Sequence, residues 1–361
     1  MNNKVTERIE WIDVAKAICI LSIVLGHTLK SSYLRTYTLS YDVPMFFFLS
    51  GYCFRCNGES YKTLMKKMRT IVVPYICFSL LSIIAFGVLS IIYPRVALSL
   101  DCNVFRNICV MLYGNSKPDV MKYNSPLWFL SCFFIVNILS LLLEPFIIKD
   151  KRGGVKRYLI LMLSAVMNVI VTNLSADLAL PWHLETAFSM LFWYELGIVI
   201  QSHSLLNYFK EIKVFNNSAK FILIVIISFT AGIISTFANF NITKTSLQVR
   251  QDIYGVIPLY YLAALGGIVF MCYLALCLQN VTWLQKLGKN TLSVLCLHKF
   301  PVLAFQEVLP YTRNLLAGGN SISAMITACV VTFISVSLSC FGGWIIERIC
   351  PLILGKRRHL K

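Results

Sequence analysis

The segment IDVAKAICILSIVLGHT, residues 12–28, decides the fold class of this chain. It is mostly apolar and close to the length of about 20 residues that crosses the roughly 30 Å hydrocarbon core of a bilayer. It nevertheless contains Asp13, Lys16 and His27. An ionisable side chain within a membrane helix costs about 2.5–3.5 kcal/mol on insertion scales, and such residues mark functional sites. The segment therefore predicts a membrane helix with one face turned away from lipid.

The rest of the chain has the same character. Its composition is 57% hydrophobic and 14% charged, whereas soluble domains carry about 25% charged residues. The apolar residues fall into blocks without the strand-like alternation of a membrane barrel. The blocks cover residues 12–29, 40–54, 71–93, 126–148, 158–176, 182–201, 219–240, 257–278, 289–309 and 322–346. The sequence predicts an all-α integral membrane protein with about ten transmembrane helices. Residues 1–361 are expected to form a single membrane-embedded domain with no appended soluble domain.

The basic residues predict the orientation of these helices. One of the two alternating sets of loops, which includes both chain ends, is much richer in Lys and Arg than the other. The positive-inside rule therefore predicts that the N- and C-termini are cytoplasmic, in a multi-pass protein of the plasma or inner membrane. The net charge of +17 is explained by basic loops that meet anionic lipid headgroups. No nucleic-acid partner is expected.

Helix geometry places the ionisable residues of the first helix on one face. Lys16 and His27 are eleven positions apart, which at about 3.6 residues per turn is within about 20° of three turns and about 16 Å along the axis. Asp13 and Lys16 are three positions apart and can form an ion pair. Two interpretations stay open. The face lines a functional cavity, or Lys16 reaches the membrane surface and His27 is bonded to a neighbouring helix.

Other polar residues within the predicted helices are weaker candidates. Ser50 lies on the second helix, where Asp42 and Pro44 predict a break with backbone groups that face a cavity. Glu195 and His298 are intramembrane ionisable residues and candidates for a cavity lining.

Two charged segments lie outside the helices. The basic cluster from Lys62 to Arg69 is either an ordinary cytoplasmic loop or a phosphate clamp, for which Arg is the better-shaped residue. The segment VRQDIYG, residues 249–255, mixes charge with an aromatic ring. It is compatible with a sugar-facing surface and with any solvated loop.

Several motifs follow one another along the chain in the order of one family. The first is Ile12-Asp13 followed by Lys16 and His27. The others are Pro44-Met45-Phe46-Phe47, Ser50-Gly51, Arg69 ahead of Pro74-Tyr75, Leu127-Trp128-Phe129-Leu130, Leu180-Pro181-Trp182, Tyr254-Gly255, Leu287 to Thr291 ahead of His298, and Pro351 to Gly355. This series resembles the acyltransferase 3 family of integral membrane acyltransferases. The opening is most similar to the fucose 4-O-acetylase-like branch.

Two positions depart from the family pattern. Lys16 stands where most members carry Arg, so that a bidentate phosphate contact becomes a point charge. Asp42 stands where many members carry His, and no role is transferred to it.

The resemblance implies a membrane O-acyltransferase that moves an acyl group other than an amino-acyl group. The donor would be cytoplasmic acyl-CoA, expected to be acetyl-CoA, as a co-substrate and not as a permanently bound cofactor. The acceptor would be a hydroxyl of a sugar, glycan or lipid-linked saccharide at the cell envelope. No metal is expected.

The same resemblance assigns expected roles to individual residues. His27 would be the general base, since the pKa of histidine lies near working pH. Lys16 and Arg69 would hold the phosphates of the donor, and Asp13 would hold Lys16. The oxyanion stabiliser is open among Ser50, Trp128 and His298, which are candidates for substrate binding.

Two other functions remain open. Intramembrane Asp, Glu, His and Lys side chains are also found in proton-coupled transporters and exporters. A membrane sensor or scaffold, in which these charges are structural, is the third interpretation. Release of free CoA and formation of an acylated product distinguish the enzyme from both.

Overall fold

The computed structural model describes residues 9–29, 31–55, 60–92, 103–115, 117, 122–148, 153–174, 178–203 and 218–357. Helices make up most of this part of the chain, and no β-strand is found in it. They are α1 (Glu10–Thr28), α2 (Tyr33–Tyr52), α3 (Ser60–Lys67), α4 (Val73–Ile92), α5 (Val104–Tyr113), α6 (Trp128–Ile148), α7 (Gly153–Leu174), α8 (Leu184–Ser202), α9 (Ser218–Thr243), α10 (Ile257–Cys277), α11 (Thr282–Lys289), α12 (Thr291–Leu297), α13 (Lys299–Leu303), α14 (Pro310–Ala317) and α15 (Ile322–Ile349). The predicted all-α class is confirmed for the described residues.

Seven helical segments of the described chain are long and apolar enough to cross a membrane. Three of them are α1, the continuous segment of α3 and α4, and residues 124–145, which include most of α6. The other four are α7, α9, α10 and α15. A further segment, 291–308, is bent by 93° against α14, and the pair gives an eighth span if it is counted as one. The helices α2 and α8 are 20 and 19 residues long but are not among these spans. The architecture is that of a multi-pass membrane protein.

Each of the ten predicted blocks overlaps a helical segment, but α2 extends well beyond the start of its block. This helix begins at Tyr33, and the side chain of Ser32 caps it by accepting the backbone N–H of Arg35 at 3.0 Å. Its first turns carry polar residues that are buried within the protein, and hydropathy does not detect a helix of that kind. The break predicted at Pro44 is not found, because α2 continues through this residue.

Helix α1 is the central helix of the described structure. It packs against α2, α10, α11, α12 and α15. The backbone of α11 touches that of α1, since a Cβ atom at Gly288 would lie 1.9 Å from the carbonyl oxygen of Asp13. In contrast, α7 and α9 expose most of their apolar side chains, as helices that face lipid do.

Helices α2 and α8 make a second close contact through two glycines. A Cβ atom at Gly51 would lie 1.8 Å from the carbonyl oxygen of Tyr194, and one at Gly197 would lie 2.1 Å from that of Phe48. Small residues let membrane helices approach closely enough for backbone packing. The two glycines therefore hold the backbone of α2 against that of α8.

A buried ion cluster joins α6, α7 and α8. Arg157 contacts Glu195 at 2.7 Å and Glu144 at 2.8 Å. Ser140 donates a hydrogen bond to Glu195 at 2.8 Å. Glu195, which the sequence leaves as a candidate for a cavity lining, is thus neutralised by Arg157 and does not line the large cavity described below.

Candidate active site

A cavity of about 570 Å³ lies along the polar face of α1. Lys16, Ile20, Ile23 and His27 line it, at spacings of four, three and four residues that place them on one helical face. Residues of α2, α3, α6, α12 and α13 and the loop before α10 complete the wall. The face predicted from the spacing of Lys16 and His27 therefore borders a cavity.

One end of this cavity, the lysine end, is marked by Lys16 and Lys67. Both line the cavity and are close enough to act on each other electrostatically. Lys67 also lies over the ring of Phe133, 5.9 Å from its centroid. Cys53 and Thr70 complete this end. The arrangement can hold an anion such as a phosphate.

The other end, the histidine end, contains His27 with Arg35, Arg250 and Lys299. All four line the cavity, and the three cations are close enough to act on His27 electrostatically. The backbone of α1 is fixed here by Gln306, whose side-chain amide donates to the carbonyl oxygens of His27 and Thr28, each at 2.9 Å.

A second histidine lies directly behind His27. The ring centroids of His27 and His298 are 5.3 Å apart and the rings are tilted by 40°. Nδ1 of His298 lies 2.8 Å from the carbonyl oxygen of Val294, and because a carbonyl only accepts, this nitrogen carries the proton. Nε2 then bears a lone pair, and it is buried with no hydrogen-bond partner among the described residues.

Between the two ends the wall is apolar and aromatic. Phe129 and Phe133 are stacked with centroids 5.3 Å apart, and Phe46 packs against Phe129 at 5.8 Å. Asp42 is the exception: it lines the cavity and is buried, and its Oδ1 has no hydrogen-bond partner in the described part of the chain. The middle of the cavity suits a thin, mostly apolar chain with a polar group that can donate to a carboxylate.

The loop that carries Arg250 is held in place by a buried cluster. Lys117 pairs with Asp252 and lies 3.4 Å from Glu185. Tyr254 donates to Asp252 at 3.1 Å. Burial raises the pKa of the Asp252 carboxyl, and the ammonium group of Lys117 acts in the opposite direction. The loop is therefore a fixed part of the cavity wall.

The candidate residues from the sequence fall into two groups. Lys16, His27, Ser50 and Trp128 line the cavity. The other three do not. His298 contacts His27 from behind, Asp13 is buried where α1 meets α11, and Arg69 lies where the chain passes Gly355.

Four cationic residues of the cavity are not among the candidates drawn from the sequence. Lys67 belongs to the basic cluster, but the sequence does not tell which member of the cluster faces inward. Arg35 counts only as a loop charge in the sequence. Arg250 belongs to the segment that is compatible with a sugar-facing surface and with any solvated loop, and Lys299 counts as a residue near a helix end. Tertiary structure alone brings them to His27. No group of His, Cys, Asp and Glu that could hold a metal is found among the described residues.

Comparison with known proteins gives one match. A family model described as an acyltransferase domain matches residues 9–344. The match runs from the residue before α1 into α15 and includes every residue of the cavity lining. No curated protein and no solved structure matches the chain.

Proposed function

Because the chain belongs to the acyltransferase 3 family and is a membrane transferase that moves acyl groups, we propose that it acylates a hydroxyl of a sugar, glycan or lipid-linked saccharide at the cell envelope. The donor is acyl-CoA, with acetyl-CoA expected. The observation that carries the proposal is a single cavity that joins a cationic end with Lys16 to an end with His27. A donor held at one end can present its thioester at the other.

The topology that we propose has ten spans. It adds α2, α8 and the bent segment 291–317 to the seven segments that are apolar enough on their own. Polar side chains on α2 and α8 are largely buried against other helices, so low hydropathy does not exclude a span. The positive-inside rule then puts both termini and the lysine end in the cytoplasm. The histidine end faces the outer half of the cell membrane.

The donor enters from the cytoplasm in this arrangement. Lys16 and Lys67 contact its phosphates, and Arg69 is a candidate for a phosphate that projects beyond the cavity. The pantetheine arm follows α1 over the distance of about 16 Å from Lys16 to His27. Asp42 offers an acceptor for an amide N–H of this arm, and Ser50, which lies toward the lysine end of α2, contacts the same arm.

The transfer takes place beside His27. The imidazole removes the proton from the acceptor hydroxyl while the oxygen attacks the thioester carbonyl carbon. The C–O bond forms, the tetrahedral intermediate collapses, and the C–S bond breaks. The CoA sulfur leaves as a thiolate and takes the proton from the imidazolium, which restores His27.

His298 and Trp128 have different roles in this proposal. The lone pair on Nε2 of His298 suits acceptance of a hydrogen bond from the His27 ring and does not suit donation to an oxyanion. Trp128 lines the cavity and its indole N–H is a donor only. We assign the oxyanion contact to Trp128.

The test is acceptor-dependent release of CoA by purified protein in nanodiscs, with crude envelope glycans as acceptor. His27→Ala should lower the rate by about 10²–10⁴-fold, the usual contribution of a general base. The matched control is His203→Ala, because His203 is exposed and bonded to Tyr158 at 2.9 Å, away from the cavity. It should retain the wild-type rate.

Two outcomes contradict parts of the proposal. An unchanged rate in His27→Ala, with folding intact, removes His27 from the chemistry but leaves the transferase. Absence of CoA release with every donor removes the CoA-dependent reaction itself. The transporter interpretation loses its main support, because membership of an acyltransferase family assigns a group-transfer reaction to the chain.

A further inference from the structure

Three cations at the histidine end point to the chemical class of the acceptor, provided that the proposed acyl transfer holds. We propose that the acceptor carries an anionic group, a carboxylate or a phosphate, near the hydroxyl that is acylated. Arg35, Arg250 and Lys299 bind that group and so present the hydroxyl to His27.

The first argument is convergence from separate parts of the chain. Arg35 lies in the first turn of α2, Arg250 in the loop between α9 and α10, and Lys299 at the start of α13. All three line the same cavity as His27 and act on it electrostatically. If these basic residues served only to orient the helices in the membrane, they would not need to come together at one histidine.

The second argument is the free energy that it costs to bury three like charges near one another. Each of the three side chains is partly buried, and like charges that are withdrawn from water in an apolar protein are unfavourable unless an opposite charge joins them. The carboxylates Asp252 and Glu185 pair with Lys117. Asp42 lies about two turns of α2, roughly 10 Å, from Arg35. The three cations have contacts of their own, and the inference rests on their convergence in the cavity beside His27.

The third argument is the construction of the Arg250 loop. Gln248 and Ile253 exchange two backbone hydrogen bonds, at 2.9 and 3.1 Å. Asp252 adopts a left-handed backbone conformation with φ of 53°, which a non-glycine residue adopts only when its surroundings fix it. Arg250 is therefore held against the cavity. Two guanidinium groups can each form paired hydrogen bonds with a carboxylate or a phosphate.

The experiment compares three defined acceptors that share one sugar ring. They are methyl glucoside, methyl glucuronide and methyl glucoside 6-phosphate, each tested with acetyl-CoA. One anionic acceptor should show a KM at least tenfold below that of the neutral glucoside, and the preferred anion tells whether a carboxylate or a phosphate is recognised. Arg250→Gln and Lys299→Gln should raise the KM for that anion by about 10- to 100-fold, as loss of a charge-assisted contact predicts. The fall in kcat/KM should be larger for the anion than for the neutral glucoside, so that the preference between the two acceptors narrows.

The matched control is Arg313→Gln, because Arg313 is an exposed cation that does not line the cavity. It should leave every KM unchanged. Binding is also measured on His27→Ala, which keeps the three cations and should bind the anionic sugar more tightly than the neutral one.

The outcomes separate this inference from the proposed function. Equal turnover of the neutral and anionic acceptors, or no effect of Arg250→Gln on the anion, overturns the anionic acceptor and leaves acyl transfer in place. Failure of both anions to bind His27→Ala also overturns it. Anion binding without CoA release from any acceptor supports the anion site and removes the acyl transfer instead.

Discussion

Replacement of Gly197 by alanine is expected to push α2 and α8 apart. The added Cβ atom would lie 2.1 Å from the carbonyl oxygen of Phe48 and 2.7 Å from the backbone nitrogen of Tyr52, whereas ordinary contact begins at 3.4 Å. The two backbones must therefore separate by about 1.3 Å, since neither obstacle is a side chain that can rotate away. Overpacking of this kind costs about 1–3 kcal/mol, and a clash with backbone belongs at the upper end of that range.

The measurement is thermal unfolding of purified protein in detergent. Gly87→Ala is the control, because its Cβ atom would meet only a methyl group of Val104 at 3.4 Å, and alanine is the better helix former by about 1 kcal/mol. Gly51→Ala should destabilise as Gly197→Ala does. The double variant should cost less than the sum, because both residues open the same contact. If Gly197→Ala unfolds at the same temperature as Gly87→Ala, the two backbones do not touch and the reasoning fails.

The remaining predictions concern charges. Arg157→Met should destabilise the protein by about 3–5 kcal/mol, because it leaves Glu195 and Glu144 buried without a cation. Arg157→Lys should recover part of that loss in the same unfolding experiment. If the Met variant is as stable as the wild type, the ion cluster is contradicted. Lys67→Ala should raise the KM for acetyl-CoA about tenfold or more with little change in kcat, as loss of a charge-assisted phosphate contact predicts. Arg69→Ala should have the smaller effect, since Arg69 does not line the cavity, and the reverse order would show that the phosphates lie outside it.

Local helix geometry is enough to predict the face of α1. Lys16 and His27 lie within one uninterrupted helix, so their relative direction follows from their spacing alone. The basic cluster is different, because a π turn, Met68–Val72, begins directly after Lys67. Such a turn contains more residues than an α-helical turn and changes the direction of every later side chain. Sequence spacing therefore does not relate the direction of Lys67 to that of the residues on α4, and it does not tell which member of the cluster faces the cavity.

The histidine end is beyond sequence reasoning for another reason. Arg250 and Lys299 are more than 200 residues from His27 in the chain, and only helix packing brings them together. In the sequence, Arg250 fits any solvated loop, and Lys299 fits a residue near a helix end that reaches water. Helix α2 shows the related limit of hydropathy: its first turns bury Thr36 and Thr38 among protein atoms, and a scale built on contact with lipid undervalues them.

The cavity along α1 also has a consequence for the electrical insulation of the membrane. Between its two ends it is lined by Ile20, Ile23, Phe46 and Phe129. A narrow apolar constriction sheds water and so stops the passage of ions and protons. Each elementary charge that crosses a membrane dissipates about 2.3 kcal/mol per 100 mV. In the proposed topology these apolar side chains lie between the two faces of the membrane, where they would limit the water and ions that cross along the cavity.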